Sequence, residues 1–176
     1  DGLSKKEFIL SKFYTIVFFS FVATVLLTII SLLIGLYYSS YNEIGIILTE
    51  TEYLVGYFLK LVGFFSFCLY LGMLAKRSAF ALAFLFVDFI LEWIILGLIT
   101  WQANFEIAEK IQNFFPLKSM YNLIEQPIQR IAMSKFPDKD NLAYDYALHW
   151  HEIGIVLFWT ALFIFLSYRL LKKRDL

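Results

Sequence analysis

Between Phe13 and Asn42 the chain carries no charged residue. Tyr14 to Tyr38 alone is about 25 residues, or about 37 Å of α-helix, which exceeds the ~30 Å hydrocarbon thickness of a bilayer. Few folds accept such a run, and a membrane-spanning helix is the simplest. Three more stretches have the same character. Leu54 to Ala75 contains one charge, Lys60, and Ser78 to Trp101 contains two, Asp88 and Glu92. The fourth runs uncharged from Ile153 to Tyr168 and extends to 151–171 with its interfacial ends. Composition agrees, because 60% of the 176 residues are hydrophobic and only 17% charged. A soluble domain of this size has too little interior to hide twenty Phe, eleven Tyr and four Trp beside its aliphatic residues, so the excess must face lipid. The expected fold class is all-α: a polytopic membrane protein with spans at 14–38, 54–75, 78–101 and 151–171. The chain reads as one transmembrane domain over 1–176.

Lys and Arg near span ends are retained on the cytoplasmic side. Lys5, Lys6 and Lys12 precede the first span, Lys76 and Arg77 join the second and third, and Arg169, Lys172, Lys173 and Arg174 follow the fourth. The loop from Ser39 to Tyr53 has Glu43, Glu50 and Glu52 but no basic residue. Both ends of the chain are therefore expected in the cytoplasm. Residues 102–150 form an outer segment too long to lack structure of its own. Apolar spacing predicts a helix over Ala103–Phe115, a break at Pro116 and a second helix over Leu117–Ser134 with a kink at Pro127. A last short helix through Tyr144 to Trp150 would lead into the fourth span.

Ser4-Lys5-Lys6-Glu7 is a capping box: the Ser4 hydroxyl can accept from the Glu7 amide while the Glu7 carboxylate reaches back to Ser4. Leu3 and Phe8 supply the matching hydrophobic staple. A cytoplasmic helix over 1–13 is expected, with Lys5, Lys6 and Lys12 on its wet side and Phe8, Ile9 and Phe13 toward lipid. It is either an interfacial anchor for the first span or a docking element for a cytoplasmic partner.

Ionisable groups at membrane depth are functional candidates by default. Lys60 lies about 24 Å and Glu92 about 21 Å above the inner surface, on adjacent antiparallel helices, so the two can meet as an ion pair. Asp88 is one turn from Glu92 on the same face, where the carboxylates repel unless a cation or proton intervenes. These three either lock the second and third spans together or line a cavity. Asp145, His149 and Glu152 fall at i, i+4 and i+7 beside His151, which raises a metal site as a possibility. However, Ile155 stands where HExxH would need its second His, and polar groups around Trp150 suit an interfacial belt, so no metal is assigned. Cys68, the single cysteine, reads as packing, and Ala79 with Ala83, and less clearly Gly63, read as helix-contact patches. No GxxxxGK[ST] or GxSxG occurs, so neither a P-loop nor a serine hydrolase is encoded, and balanced charge gives no field for nucleic acid.

Four segments together resemble a known family. Asp1-Gly2-Leu3-Ser4-Lys5-Lys6-Glu7-Phe8 before a long apolar span is similar to the coupling segment and membrane helix of ABC-type exporter permeases of the second type, the ABC-2 permease family. Phe89 to Trp93, with Glu92 late in a span, Phe115-Pro116-Leu117-Lys118-Ser119-Met120-Tyr121-Asn122-Leu123-Ile124 before the last span, and the end Lys172-Lys173-Arg174-Asp175-Leu176 agree with that pattern in order. The resemblance implies the permease subunit of an ATP-driven exporter in a bacterial cytoplasmic membrane. It implies a permease dimer with separate ATP-binding cassette ATPases, no cofactor and no catalytic residue in the chain, and Leu3, Ser4, Lys5, Lys6, Glu7 and Phe8 as the ATPase-coupling segment. Such permeases usually have six spans, and the two missing here are expected before Asp1. Two readings compete with it: a four-span assembly protein that binds a partner through its outer hairpin, and an intramembrane enzyme using Asp88 and Glu92.

Overall fold

The computed structural model describes residues 4–38, 51–75, 78–102, 111–124 and 148–173. Their elements are α1 (Lys5–Tyr38), α2 (Glu52–Ala75), α3 (Ser78–Gln102), the short α4 (Pro116–Asn122) and α5 (Trp150–Lys173), with no strand among the described residues. The four long helices have 34, 24, 25 and 24 residues and are each long and apolar enough to cross a membrane. Proline falls only at positions 116, 127 and 137, so nothing interrupts their hydrogen-bond ladders.

The bundle is apolar outside, unlike a soluble fold, and among the described residues its apolar interior also holds a few polar side chains. On α3 the large residues Phe80, Leu82, Phe86, Trp93 and Leu98 are exposed, and the one buried residue is Glu92. Lipid tails are as apolar as these side chains, so burying them would gain little; helices in a bilayer associate through close packing and internal hydrogen bonds instead. The contact faces follow from this. On α5 the buried positions are Val156, Thr160, Phe163, Ser167 and Leu171, three or four residues apart throughout, and they form one stripe. It packs on α2, the central helix, which also touches α1, α3 and α4. Phe67 of α2 meets Phe163 of α5 at 4.7 Å between ring centroids, and Phe67, Leu71, Met120, Leu123, Val156 and Phe163 make up the core. Gly63 allows this approach: a Cβ there would stand 3.1 Å from Met120 Cε and 3.2 Å from Val156 Cγ1. Ala79 and Ala83, expected as a contact patch, are exposed; the packed stripe of α3 passes instead through Ala81 and Leu85 toward Glu92.

The amino-terminal lead and the first span are one helix. The Ser4 amide donates to Glu7 Oε2 at 2.8 Å and the Glu7 amide donates to Ser4 Oγ at 3.3 Å, which is the expected capping box. From that cap α1 continues unbroken to Tyr38, so no joint separates residues 1–13 from 14–38 within the described part. Leu3, and with it the staple, lies outside the described residues. Ile9, expected toward lipid, is 4% exposed: the lead runs beside the last turns of α5, where Lys6, Ile9 and Phe13 face Thr160, Ile164 and Tyr168. Phe19 of α1 touches Phe65 of α2 with centroids 5.4 Å apart. Counted along each axis from that contact, α1 begins about 21 Å away and α2 ends about 15 Å away, so the Ser4 cap overshoots α2 by about one turn.

The helix expected through Tyr144 to Trp150 is corrected at its described end. Leu148 and His149 are not helical, and the His149 carbonyl accepts from the amides of Glu152 and Ile153, so α5 starts at Trp150. His149 and Glu152 thus do not continue a helical face from Asp145, which lies outside the described residues.

Candidate functional site

Residues 111–124, expected as part of an outer hairpin, dip between the spans. Glu92 is ten residues from the carboxyl end of α3, Lys60 eight from the amino end of α2 and Trp159 nine from the amino end of α5, so all three sit about 12–15 Å in from the helix ends. Each reaches the segment 114–121 with a polar group, which puts α4 at bilayer depth. Irregular backbone is tolerated there only when protein satisfies its N–H and C=O groups. That requirement explains the contacts of the segment.

A helix leaves its first N–H groups without partners. Pro116, at the first helical position of α4, has no N–H, and the residue before it, Phe115, has no capping side chain. Glu92 supplies the cap from a different helix. The amides of Leu117 and Lys118 donate to its two carboxylate oxygens at 2.9 and 3.1 Å, and the Ser119 amide donates to the Phe115 carbonyl at 2.7 Å. The first turn of α4 is thereby fully paired. At the other end Lys60 Nζ donates to the Tyr121 carbonyl at 3.3 Å and stands 5.2 Å from the Tyr121 ring centroid. An anion at the amino end and a cation at the carboxyl end both match the polarity of the helix. Trp159 Nε1 of α5 donates to the Phe114 carbonyl at 3.0 Å, and Asn122 Nδ2 to Asn113 Oδ1 at 2.8 Å, which closes the turn before α4.

The structure therefore corrects the expected Lys60–Glu92 ion pair. Depth arithmetic rightly puts the two at one level, but α4 lies between them and takes one at each end. Asp88 sits one turn from Glu92 on the packed stripe of α3, with Oδ2 buried and without a hydrogen-bond partner. Ser4, Lys5, Lys6, Glu7 and Phe8 are at the opposite end of the bundle, where Lys6 shares a groove with Tyr168 of α5. No group of three or more metal-ligating side chains occurs among the described residues. His149 and His151 have ring centroids 5.3 Å apart. Two participants escaped the sequence reading: Trp159, which it did not single out, and the α4 backbone itself. A signal for the second was present, since a proline-initiated helix preceded by Phe115 rather than Ser, Thr, Asp or Asn needs an acceptor from elsewhere.

Both Glu92 oxygens accept from backbone amides, so this carboxylate holds a segment of backbone. No curated protein and no solved structure matches the chain. The family model of the ABC-2 family transporter proteins matches residues 3–176 and so spans all four membrane helices and α4. The chain belongs to the ABC-2 transporter family, as a permease subunit of an ABC transporter.

Proposed function

We propose that the chain is the membrane-spanning permease subunit of an ATP-driven exporter in the cytoplasmic membrane of a bacterium. It draws its energy from a separate cytoplasmic ATP-binding cassette ATPase and works as a permease dimer. Both termini of the segment are cytoplasmic. Leu3, Ser4, Lys5, Lys6, Glu7 and Phe8 are the coupling segment gripped by the ATPase. Lys60 and Glu92 fix the re-entrant α4, and Asp88 belongs to the same intramembrane polar group. The observation that carries this reading is the continuity of α1. A helix capped at Ser4 and unbroken to Tyr38 is about 51 Å long, so displacement of its first turn moves the whole span as a rigid lever. The exposed, basic start of that helix offers a partner both charge and a fixed shape.

The competing reading, a four-span assembly protein that binds through its outer hairpin, needs an outward apolar surface. In the described part of that segment Met120 and Leu123 are turned into the bundle at 2% and 3% exposure, while Ile111, Phe114 and Tyr121 are exposed, so such a surface is present only in part. The test is co-purification of the complex with its ATPase. Deletion of Leu3 to Phe8 is expected to abolish co-purification while the membrane part still inserts. An intact complex after that deletion refutes the coupling assignment.

A further inference from the structure

Between α2 and α3, with α4 as its back wall, lies a half-open cavity of about 700 Å³. Its volume is in the range of sites for small-molecule ligands. Two lysines line it: Lys60 Nζ and Lys118 Nζ stand 5.2 and 5.7 Å from the centroid of the Tyr121 ring. An ammonium has three N–H donors, and Lys60 uses one on the Tyr121 carbonyl. Glu92 stands in the same wall, with an amide of Leu117 or Lys118 on each of its oxygens, and its charge opposes that of the lysines. Among the lining residues two cations face one carboxylate, a surplus of positive charge at a depth where charge is costly without a partner. Its rim on α3 has a different chemistry: Phe86, Phe89 and Trp93 are 64%, 49% and 66% exposed and project at membrane depth.

A cationic floor beneath an aromatic, lipid-level rim fits a molecule with one anionic end and one apolar end. We propose that this cleft binds an anionic amphiphile, an acyl-chain molecule with a phosphate or carboxylate head. Lys60 and Lys118 hold the head, and Phe86, Phe89 and Trp93 flank the chain. The site draws its occupant from the bilayer, and it stands whether or not the molecule is also cargo. Its head lies deeper than those of the surrounding lipids, which sets it apart from ordinary lipid contact.

Trp93 lines the cavity and reports its contents. The full polypeptide is reconstituted in nanodiscs of phosphatidylcholine, and acyl-brominated phosphatidylglycerol or acyl-brominated phosphatidylcholine is titrated in. The Trp93 signal is taken as the difference from Trp93→Phe. The expected result is half-maximal quenching by the anionic lipid at a mole fraction about tenfold lower, the scale of one charge-assisted hydrogen bond. Lys118→Gln is expected to remove most of that preference, and it leaves the fold intact because Lys118 enters the α4 clamp through its backbone amide. Lys60→Gln should reduce the preference as well. Equal quenching by both lipids overturns the proposal, as does a preference that survives in both variants. Displacement of the brominated lipid by inorganic phosphate alone would also overturn it, since the site would then take a soluble anion.

Discussion

Replacing Glu92 tests whether a side chain of one span holds the re-entrant helix in place. Glu92→Ala leaves the Leu117 and Lys118 amides without an acceptor inside the bundle, where Glu92 itself is 4% exposed. An unsatisfied buried donor costs about 1–3 kcal/mol, whereas interhelical hydrogen bonds measured inside membranes average only ~0.6 kcal/mol. Two bonds therefore bracket about 1 to 6 kcal/mol. Both are to a carboxylate, which favours the middle of that range, about 3 kcal/mol. At 1.36 kcal/mol per decade this is about a hundredfold shift in the opening equilibrium of α4. Glu92→Gln retains one acceptor oxygen and places an NH₂ group against the other amide, so it should lose about half as much and shift the equilibrium about tenfold. Hydrogen-exchange mass spectrometry of the peptide covering Phe115 to Ile124, in nanodiscs, reads the opening directly, with Glu43→Gln as a control from the loop between the first two spans. The expected order of exchange rates is Glu92→Ala above Glu92→Gln above both the control and the unaltered chain. If the Leu117 and Lys118 amides stay as protected in Glu92→Ala as in the unaltered chain, the carboxylate is not their support and the reasoning fails.

The same measurement applies at the other end of α4, where Lys60→Met removes the donor to the Tyr121 carbonyl and should speed exchange over Tyr121 to Ile124 while sparing Leu117 and Lys118. Two glycines of α2 should respond oppositely to enlargement. Gly72→Ala meets nothing within 4 Å and should stabilise by up to ~1 kcal/mol through helix propensity, whereas Gly63→Val drives into Met120 and the fully buried Val156 and should destabilise by about 1–3 kcal/mol, both read by unfolding in mixed micelles. At the start of α1, the Ser4 amide and hydroxyl hold the Glu7 carboxyl below the usual glutamate range. A carboxyl depressed in the folded state stabilises above its unfolded pKa of ~4.3 and loses that contribution as pH falls through the lower folded value, so the lead should fray in acid below about pH 4. A spin label at position 6 should become mobile over that range. Glu7→Gln should be mobile throughout and show no pH dependence.

Much of the architecture is written in the sequence, because the bilayer imposes a single demand on each span. The uncharged run from Tyr14, and the sparsely charged ones containing Lys60 and Glu92, are long enough that no other structure competes. The Ser4–Glu7 cap is equally legible, since four consecutive residues contain the whole device. Periodicity fails where the partner is remote. Ile9 looked like a lipid-facing residue because nothing local reveals that the lead lies along α5. Lys60 and Glu92 stand out in the sequence as charges within spans, but their partners are backbone groups of residues 117, 118 and 121, and backbone groups leave no compositional trace. The alanine patch at 79 and 83 misled for a related reason. A small residue permits close approach without requiring it, and the neighbouring stripe through Ala81, Leu85 and Glu92 is the one that packs.

The suspension of α4 from α2, α3 and α5 sets how the bundle can deform. An axial slip of any of these helices by one turn, about 5.4 Å, would carry Lys60, Glu92 or Trp159 beyond reach of its backbone partner. The three are tied through a shared tether and travel as one block. The first helix is bound differently: its Ser11, Thr15, Thr24 and Thr28 hydroxyls donate to carbonyls of its own turns, and its contacts with the block include the Phe19–Phe65 ring pair and the buried Ile9. Apolar contacts of that kind fix the axial register less sharply than hydrogen bonds to a backbone segment do. Motion entering at Ser4 is thus expected to emerge as a shift of one helix along a stationary trio, with the tethered segment keeping the trio in register.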